Sequence, residues 1–261
     1  MTFGKINKLE TFGSVDGPGI RFVVFTQGCP MRCKFCHNPE TWDFSGTSAN
    51  GQSNGSFEIS AEDLLAKALR YKPYWGDNGG ITVSGGEPLA QLDFMIEFFE
   101  ATKKAGVHTC IDTSGVTFSR AGETFKKMER LLQSTDLLLV DIKHIDETVH
   151  KSLTGHDNRN IIDFFRYLDE IRKPIWIRHV LVPGISDDDS ALLRTRDFIR
   201  TLSNVERVEV LPYHAFALSK YADLGIDYAL KDTPTPTAER VKNANEILET
   251  AKYTRWKARS V

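Results

Sequence analysis

The chain contains an apolar run that leads directly into a cluster of cysteines, and residues 20–37 read IRFVVFTQGCPMRCKFCH. Residues 20–26 are almost continuously apolar, which is typical of a strand buried on both faces of a parallel sheet. Three of the four cysteines, Cys29, Cys33 and Cys36, follow on one short loop. Because α/β proteins place their chemistry at the carboxyl ends of strands, we expect a functional site on this loop.

Further apolar, β-rich runs recur along the chain, with helical patterns between them. The runs are residues 81–84, 108–112, 137–141, 175–182 and 205–211. The helical patterns lie near residues 60–69, 92–106, 121–132, 161–171, 191–202 and 237–252. This alternation predicts an α/β fold, a six-unit partial (β/α)6 barrel with parallel strands and outer helices.

Composition places the chain among ordinary globular proteins. Its 33 lysines and arginines face 35 aspartates and glutamates, a net charge of −2 that argues against nucleic acid or an anionic membrane as a partner. No apolar stretch approaches the roughly 18 residues that span a bilayer. Four cysteines are too few for a disulfide scaffold, and no leader precedes residue 10, so we expect a cytoplasmic protein.

One stretch departs from the alternating pattern. Residues 44–56 are rich in glycine, serine and asparagine and nearly free of apolar side chains, which predicts a flexible surface loop of no assigned role. Elsewhere we find no internal repeat and no interdomain linker, so we expect residues 1–261 to form a single domain.

Several chemistries could use the cysteine loop. Residues 33–37 match the attachment motif of c-type haem, but that chemistry belongs with export and would leave Cys29 idle. A structural zinc site of three cysteines and His37 is within ligand spacing rules, although two separated cysteine pairs are more usual. Three inert core cysteines fit poorly beside Arg32 and Lys34, whose charges lower thiol pKa values and favour metal or redox chemistry.

An iron–sulfur cluster held by only three thiolates is the remaining interpretation. A cubane cluster has four irons, so three protein ligands leave one iron with an open coordination position where chemistry can occur. The fourth cysteine, Cys110, lies inside the predicted third strand. We interpret it as a small buried hydrophobe and not as a fourth ligand.

The spacing Cys29-x3-Cys33-x2-Cys36, with the aromatic Phe35 before the last cysteine, resembles the signature of the radical S-adenosylmethionine superfamily. The resemblance covers roughly residues 4–248 and narrows to activating enzymes of glycyl-radical enzymes, of the pyruvate formate-lyase type. It rests on residues 15–22 (VDGPGIRF), 27–29, 36–38, 41–43, 84–87 (SGGE), 108–113, 141–143, 176–178, 182–184, 186–189 and 211–214 (LPYH). Activases of other glycyl-radical enzymes, such as an anaerobic ribonucleotide reductase or a glycerol dehydratase, are the alternative. Many activases of the glycerol dehydratase type carry a cysteine-rich ferredoxin-like insertion after the first motif, whereas residues 43–57 here contain no cysteine.

This resemblance implies a specific reaction. A 4Fe-4S cluster on the three cysteines would bind S-adenosylmethionine, and one electron from a donor such as flavodoxin or ferredoxin would cleave it reductively. The 5′-deoxyadenosyl radical would then remove a hydrogen from the α carbon of a glycine in pyruvate formate-lyase. The cofactor carries the hard chemistry, and the protein supplies position and exclusion of water. We expect a monomer. A zinc-binding interaction protein is the rival from a different class.

The turn after the second run, residues 84–88, would by itself be a plain glycine-proline turn. The resemblance implies that Gly86 there meets the amino group of S-adenosylmethionine. It also implies contacts to this cofactor from Phe35, Cys36, His37, Asp141, Ile142, Lys143 and His214. Without the resemblance, the charges at 141 and 143 would be solvated strand-end residues and His214 a surface histidine.

Two further groups of candidates follow. Arg178 lies in an apolar strand, where an unpaired guanidinium would be costly, so it should meet an anion or a carbonyl-rich partner. The resemblance implies that Arg178, Asp16 and His214 contact the glycine-bearing segment of the partner. It also implies a monovalent cation near the cofactor, held by Asp112, Thr113, Asp141 and the backbone of Leu139; hard oxygen ligands suit such an ion.

Overall fold

The computed structural model describes residues 1–46 and 54–259. All its strands form one eight-stranded sheet with the order β3-β1-β2-β4-β5-β6-β7-β8. The strands are β1 (Phe3–Gly13), β2 (Arg21–Thr26), β3 (Phe57–Ser60), β4 (Gly80–Gly85), β5 (His108–Thr113), β6 (Leu137–Asp141), β7 (Ile175–Leu181) and β8 (Val205–Pro212). The helices are α1 (Ala61–Leu69), α2 (Leu92–Lys104), α3 (Gly122–Gln133), α4 (Glu147–Thr154), α5 (Arg159–Glu170), α6 (Asp189–Arg200), α7 (Leu218–Asp223) and α8 (Ala238–Ile247).

The predicted fold class is confirmed. The strands β2, β4, β5, β6, β7 and β8 pair in parallel, each with the next, and they coincide with the six apolar runs. Within the described residues the sheet stays open, since β3 and β8 each pair with a single neighbour. Parallel pairing brings the carboxyl ends of all six strands to one edge, and the cysteine loop leaves β2 at that edge.

Two strands were not predicted from the sequence. β1 pairs antiparallel with both β2 and β3, and so extends the sheet beyond the parallel set. Most residues of β1 are exposed or half-buried, and several of them are polar. The strand therefore lacks the continuous apolar run that marks the parallel strands. The short helices α4 and α7 were also missed. Of the predicted loop at 44–56, residues 47–53 lie outside the described residues.

The core lies on both faces of the sheet. Side chains such as Ile111, Leu138 and Ile177 pack toward the helices in the main apolar cluster. Their neighbours along the strands, Cys110, Leu137, Leu139 and Trp176, form a second buried cluster against Trp256. Burial on both faces explains why these strands are continuously apolar. No helix within the described residues combines the length and apolar character that crossing a bilayer demands.

A fully buried arginine ties the loop before β2 to the sheet. Arg21 donates to the carbonyls of Pro18 (3.0 Å) and Ile81 (2.7 Å) and to the hydroxyl of Thr82. It also contacts the carbonyl of His108 at 3.3 Å. Thr82 in turn donates to the carbonyl of Asp16 at 2.7 Å. The arginine therefore satisfies buried carbonyl groups of three separate segments.

We predict that Arg21→Met lowers the free energy of unfolding by about 3 kcal/mol, because several buried acceptors lose their donor at once. Urea unfolding followed by circular dichroism measures this change. The matched control is Arg166→Met on the exposed face of α5, which should change stability by less than about 0.5 kcal/mol. Equal effects of the two substitutions would contradict the structural role of Arg21.

Candidate functional site

A cavity of about 520 Å³ opens at the carboxyl ends of the parallel strands. It collects residues from the loop after β2 and from the carboxyl ends of β4, β5, β6, β7 and β8 with the turns that follow some of them, although these are far apart in the sequence. Most of the candidates identified from the sequence line it: Cys29, Cys33, Phe35, Cys36, His37, Gly86, Asp112, Thr113, Asp141, Lys143, Arg178 and His214.

Three candidates do not line this cavity. Asp16 lies half-buried in the loop between β1 and β2. Leu139 is fully buried in the second apolar cluster, beside Cys110. The side chain of Ile142 packs in the main core, and its backbone N–H donates to the carbonyl of Arg178 at 2.9 Å. Any contact of Leu139 or Ile142 with a ligand would therefore be made by the backbone.

The three thiols of the cysteine loop lie free and largely buried at the cavity wall. Burial raises the pKa of Cys33 to about 12 and also raises the pKa values of Cys29 and Cys36. Without a cationic partner these thiols therefore keep their protons. Positively charged iron ions would displace those protons and bind the resulting thiolates. Across residues 1–46 and 54–259, no three His, Cys, Asp or Glu side chains converge as a single metal ion requires. An iron–sulfur cluster does not need its three thiolates to meet at one point, because each thiolate binds a different iron.

Helix α4 supports one side of the cysteine loop. The carbonyls at its carboxyl end, Leu153 and Thr154, accept hydrogen bonds from the backbone N–H groups of Lys34 (2.9 Å) and Arg32 (2.8 Å). The ring of His156 lies 2.9 Å from the carbonyl of Pro30 through Nε2. Because a carbonyl can only accept, this nitrogen must carry the hydrogen. The loop thus gains three hydrogen bonds from one distant turn.

Lys220 of α7 holds the other side of the loop. Its ammonium donates to the carbonyl of His37 (2.8 Å), to the side-chain oxygen of Asn38 (3.1 Å) and to the carboxylate of Glu40 (2.6 Å). These three acceptors directly follow Cys36 in the chain. An ammonium group has three donors, and all three are used here. Sequence reasoning missed this residue, since nothing local marks it.

The glycine turn after β4 packs against the cysteine loop. The N–H of Gly86 donates to the carbonyl of Thr26 at 3.0 Å, and that of Glu87 donates to the carbonyl of Gly28 at 2.8 Å. A Cβ atom at Gly86 would lie 2.3 Å from the Gly28 carbonyl oxygen, which no real side chain tolerates. Close approach of two backbones is therefore sufficient to require glycine at this position.

Glu87, which follows this glycine, does not line the cavity but binds residues that do, and sequence reasoning left it without a role. It is buried, and it accepts hydrogen bonds from the backbone N–H groups of Leu89 and Ser114 and from the hydroxyls of Thr113 and Ser114. Burial raises the pKa of its carboxyl group. Glu87 thereby joins the end of β4 to the end of β5. A carboxylate between a glycine turn and apolar residues was the available signal.

Two ion pairs lie at the strand ends. Arg178 of β7 donates to the carboxylate of Asp112 of β5 at 2.8 Å, so its anionic partner comes from the chain itself. Lys143 donates to Asp141 at 2.8 Å and lies over the ring of Phe35 at 5.4 Å. Burial opposes the charge of Lys143, but the surrounding anionic groups, led by Asp141, together outweigh burial and raise the lysine pKa. The negative charges of Asp112 and Asp141 are thus each balanced by a neighbouring cationic side chain.

Two stacked histidines line the cavity. The rings of His37 and His214 stack with centroids 4.2 Å apart and planes 24° apart. The Nε2 atom of His37 lies 3.3 Å from the carbonyl of His214. Burial lowers the pKa values of both rings, so both are neutral at pH 7. The stack joins the cysteine loop after β2 to the segment after β8.

We predict that Lys220→Met loosens the segment that follows Cys36, because three acceptors lose their common donor. Hydrogen exchange of the backbone amides in the segment 38–41, which are those of Asn38, Glu40 and Thr41, should accelerate about tenfold, while global stability falls by only about 1 kcal/mol, since the lysine side chain is partly exposed. Lys231→Met, which breaks an exposed pair with Asp227, is the control and should leave exchange at 38–41 unchanged. Unchanged exchange in Lys220→Met would contradict the assignment.

A second prediction concerns Asp16. Burial and the nearby Asp112 raise its pKa from 3.8 to about 6. Between these values the native state binds a proton that the unfolded chain has released, so this residue reduces stability as the pH rises from 3.8 to 6. Asp16→Asn removes the ionised form and should raise the free energy of unfolding by about 1–2 kcal/mol at pH 7.5, with no gain near pH 4.

Urea unfolding of the reduced chain at the two pH values tests this pH dependence. The control is Asp232→Asn, at an exposed position, which should change stability little at either pH. A stability gain of the same size at both pH values would show that the ionisation of Asp16 is not its cause.

Comparison with known proteins agrees with this geometry. A profile of the Radical SAM superfamily matches residues 23–195. The pyruvate formate-lyase-activating enzyme of Streptococcus mutans is 48% identical over 256 residues, which cover 98% of this chain and 95% of that protein. The enzyme of the same name from Listeria monocytogenes is 50% identical over 251 residues, covering 96% and 98%.

Solved structures show the same fold. A domain of a pyruvate-formate lyase-activating enzyme from Bacteroides vulgatus has a TM-score of 0.54 and 26% identity, covering 67% of this chain and 96% of that one. Streptococcus suis SuiB, solved with its precursor peptide SuiA, has a TM-score of 0.63 and 17% identity, covering 93% of this chain and 47% of SuiB. The chain therefore belongs to the radical SAM superfamily and, within it, to the pyruvate formate-lyase-activating enzymes.

Proposed function

We propose that this chain activates pyruvate formate-lyase by generating a glycyl radical on it. The observation that carries the proposal is the meeting of three thiols, a glycine turn and two buried ion pairs in one cavity at the strand ends. Relatives that carry this function in their names match the chain over almost its full length. The chain is an enzyme of the radical SAM superfamily, whose cofactors are a 4Fe-4S cluster and S-adenosylmethionine.

When bound, the cluster and S-adenosylmethionine would supply the radical chemistry: one electron from an external donor would cleave S-adenosylmethionine into methionine and a 5′-deoxyadenosyl radical, which would take a hydrogen atom from the α carbon of a glycine in the partner and become 5′-deoxyadenosine. Cys29, Cys33 and Cys36 would hold three irons and leave the fourth open to the cavity. The hydrogen bonds from α4 and Lys220 keep the loop that carries these thiols in place. The protein thus contributes position and a sheltered cavity, and no side chain needs to act as acid, base or nucleophile.

We assign the walls of the cavity to S-adenosylmethionine. Its amino group would meet the backbone around Gly86, whose lack of a side chain lets both the cysteine loop and a ligand approach. The balanced pair of Asp141 and Lys143 suits a ligand that carries both an ammonium and a carboxylate group. The remaining contacts would come from Phe35, Cys36, His37, the backbone of Ile142 and His214.

The partner segment would contact Asp16, Arg178 and His214 beside the cofactor. We also propose that a monovalent cation binds to Asp112, Thr113, Asp141 and the carbonyl of Leu139. The two carboxylates are shared with Arg178 and Lys143, so such an ion would use their remaining oxygens. We further propose a cytoplasmic, single-domain monomer that receives its electron from flavodoxin or ferredoxin.

Anaerobic reconstitution with iron and sulfide, followed by incubation with pyruvate formate-lyase, S-adenosylmethionine and a chemical reductant, tests the function. Electron spin resonance should detect a carbon-centred radical on the partner, in proportion to the 5′-deoxyadenosine formed. A radical that arises only on a different glycyl-radical enzyme would change the substrate assignment. A colourless protein that holds one zinc and no sulfide would overturn the enzymatic function.

We predict that Cys33→Ala abolishes formation of 5′-deoxyadenosine, because the cluster loses one of its three ligands. Cys110→Ala should retain at least about half of the activity, since this thiol lies in the second apolar cluster and not at the cavity. It should lose about 1 kcal/mol of stability as a small core truncation. Liquid chromatography of 5′-deoxyadenosine and the iron content of each variant measure these outcomes. Equal loss of iron in both folded variants would contradict the ligand assignment.

A further inference from the structure

A strongly exposed phenylalanine stands at the mouth of the cavity. Phe216 follows β8 and is 83% exposed, the highest value for a large apolar side chain in the described part of the chain. It lies two residues after His214, which lines the cavity. Exposed aromatic side chains beside a binding cavity are typical of surfaces that a partner covers.

The ring of Phe216 is supported on one side by a histidine ring. It packs on the ring of His214 with centroids 3.9 Å apart and planes 38° apart. His214 in turn stacks on His37 at 4.2 Å. The three rings form a row that runs from the cysteine loop to solvent. An aromatic ring that is already positioned binds a partner with little further loss of conformational freedom.

A second apolar side chain contributes to this mouth. Val15, in the loop between β1 and β2, lines the same cavity and is 70% exposed. Phe216 does not itself line the cavity, but it packs on His214, which does. Phe3, exposed at the start of β1, is not among the lining residues. Within the described residues, the two most exposed large apolar side chains apart from Met1 therefore belong to segments that border the cavity.

We propose that Phe216 and Val15 form a docking surface for an apolar side chain of the protein partner, close in sequence to the glycine that receives the radical. This inference rests on the proposed function. A glycine offers no side chain to recognise, so its segment must be bound through neighbouring residues. An extended chain advances about 3.3 Å per residue, so the ring row spans about two to three residues of it. We place the glycine beside His37, at the inner end of this row, so the apolar side chain that meets Phe216 lies about two to three positions from it.

The first experiment measures activation of pyruvate formate-lyase by the reconstituted full chain with a chemical reductant. Phe216→Ser should raise the KM for the partner about tenfold, whereas Phe216→Leu should raise it less than about threefold, because an apolar contact is retained. Formation of 5′-deoxyadenosine without partner normalises each rate for cofactor loading. The matched control is Phe3→Ser, the same substitution at an exposed phenylalanine that does not line the cavity. It should leave the KM for the partner unchanged.

The outcomes separate this inference from the proposed function. An unchanged normalised KM in Phe216→Ser overturns the docking surface while the function stands. Absence of a radical on the partner with the unaltered chain, despite cleavage of S-adenosylmethionine, overturns the function itself. A defect that appears only when a flavodoxin supplies the electron assigns the surface to the electron donor and overturns the inference. A difference in oligomeric state between Phe216→Ser and the unaltered chain, measured by sedimentation, also overturns the inference.

A second experiment tests the position of the contact. Peptides of nine residues with a central glycine carry one leucine at successive positions in an otherwise serine and alanine background. The unaltered chain should give its lowest KM when leucine lies two or three positions from the glycine, and Phe216→Ser should lose this preference. The same preference in both chains, or none in either, would overturn the proposal.

Discussion

The cysteine loop has no regular secondary structure, so its backbone groups depend on hydrogen bonds from other parts of the chain. The carboxyl end of α4 supplies two acceptors, and His156 donates to the carbonyl of Pro30. Lys220 of α7 holds the other end through three acceptors. The turn after β4 packs so closely that only glycine fits at residue 86. Three separate β/α units thus position one loop, and the thiols reach their arrangement only in the complete fold.

The charges at the strand ends follow from the same geometry. Parallel strands direct Asp112, Asp141 and Arg178 to one edge of the sheet, and Lys143 follows directly after β6. In a buried cavity an unpaired charge would be costly, and each carboxylate is indeed paired with a base. The cavity is consequently balanced in charge, which suits a cofactor with groups of both signs. Tightly held pairs also explain how so many polar groups coexist with a continuous apolar core beneath them.

Much of the fold could be predicted because burial on both faces leaves a simple pattern. All six parallel strands are runs of apolar residues, and their order along the chain matches their order in the sheet. β1 was missed because polar residues such as Lys5, Asn7, Lys8 and Glu10 interrupt its apolar pattern, and β3 because it is only four residues long. Glu87 and Lys220 were missed for a different reason. Each matters through partners that are distant in sequence, and neither lies in a pattern that reveals those partners.

The sequence by itself determined the α/β class, the position of the chemistry at strand ends and the three cysteines that mark the superfamily. These features are local, since they depend on apolar periodicity and on the spacing of residues within one loop. Only the tertiary structure decided that Arg178 pairs with Asp112, that Lys220 and α4 hold the cysteine loop, and that Phe216 stands exposed at the cavity mouth. Those contacts join segments separated by many residues, and no local pattern encodes which distant groups a folded chain brings together.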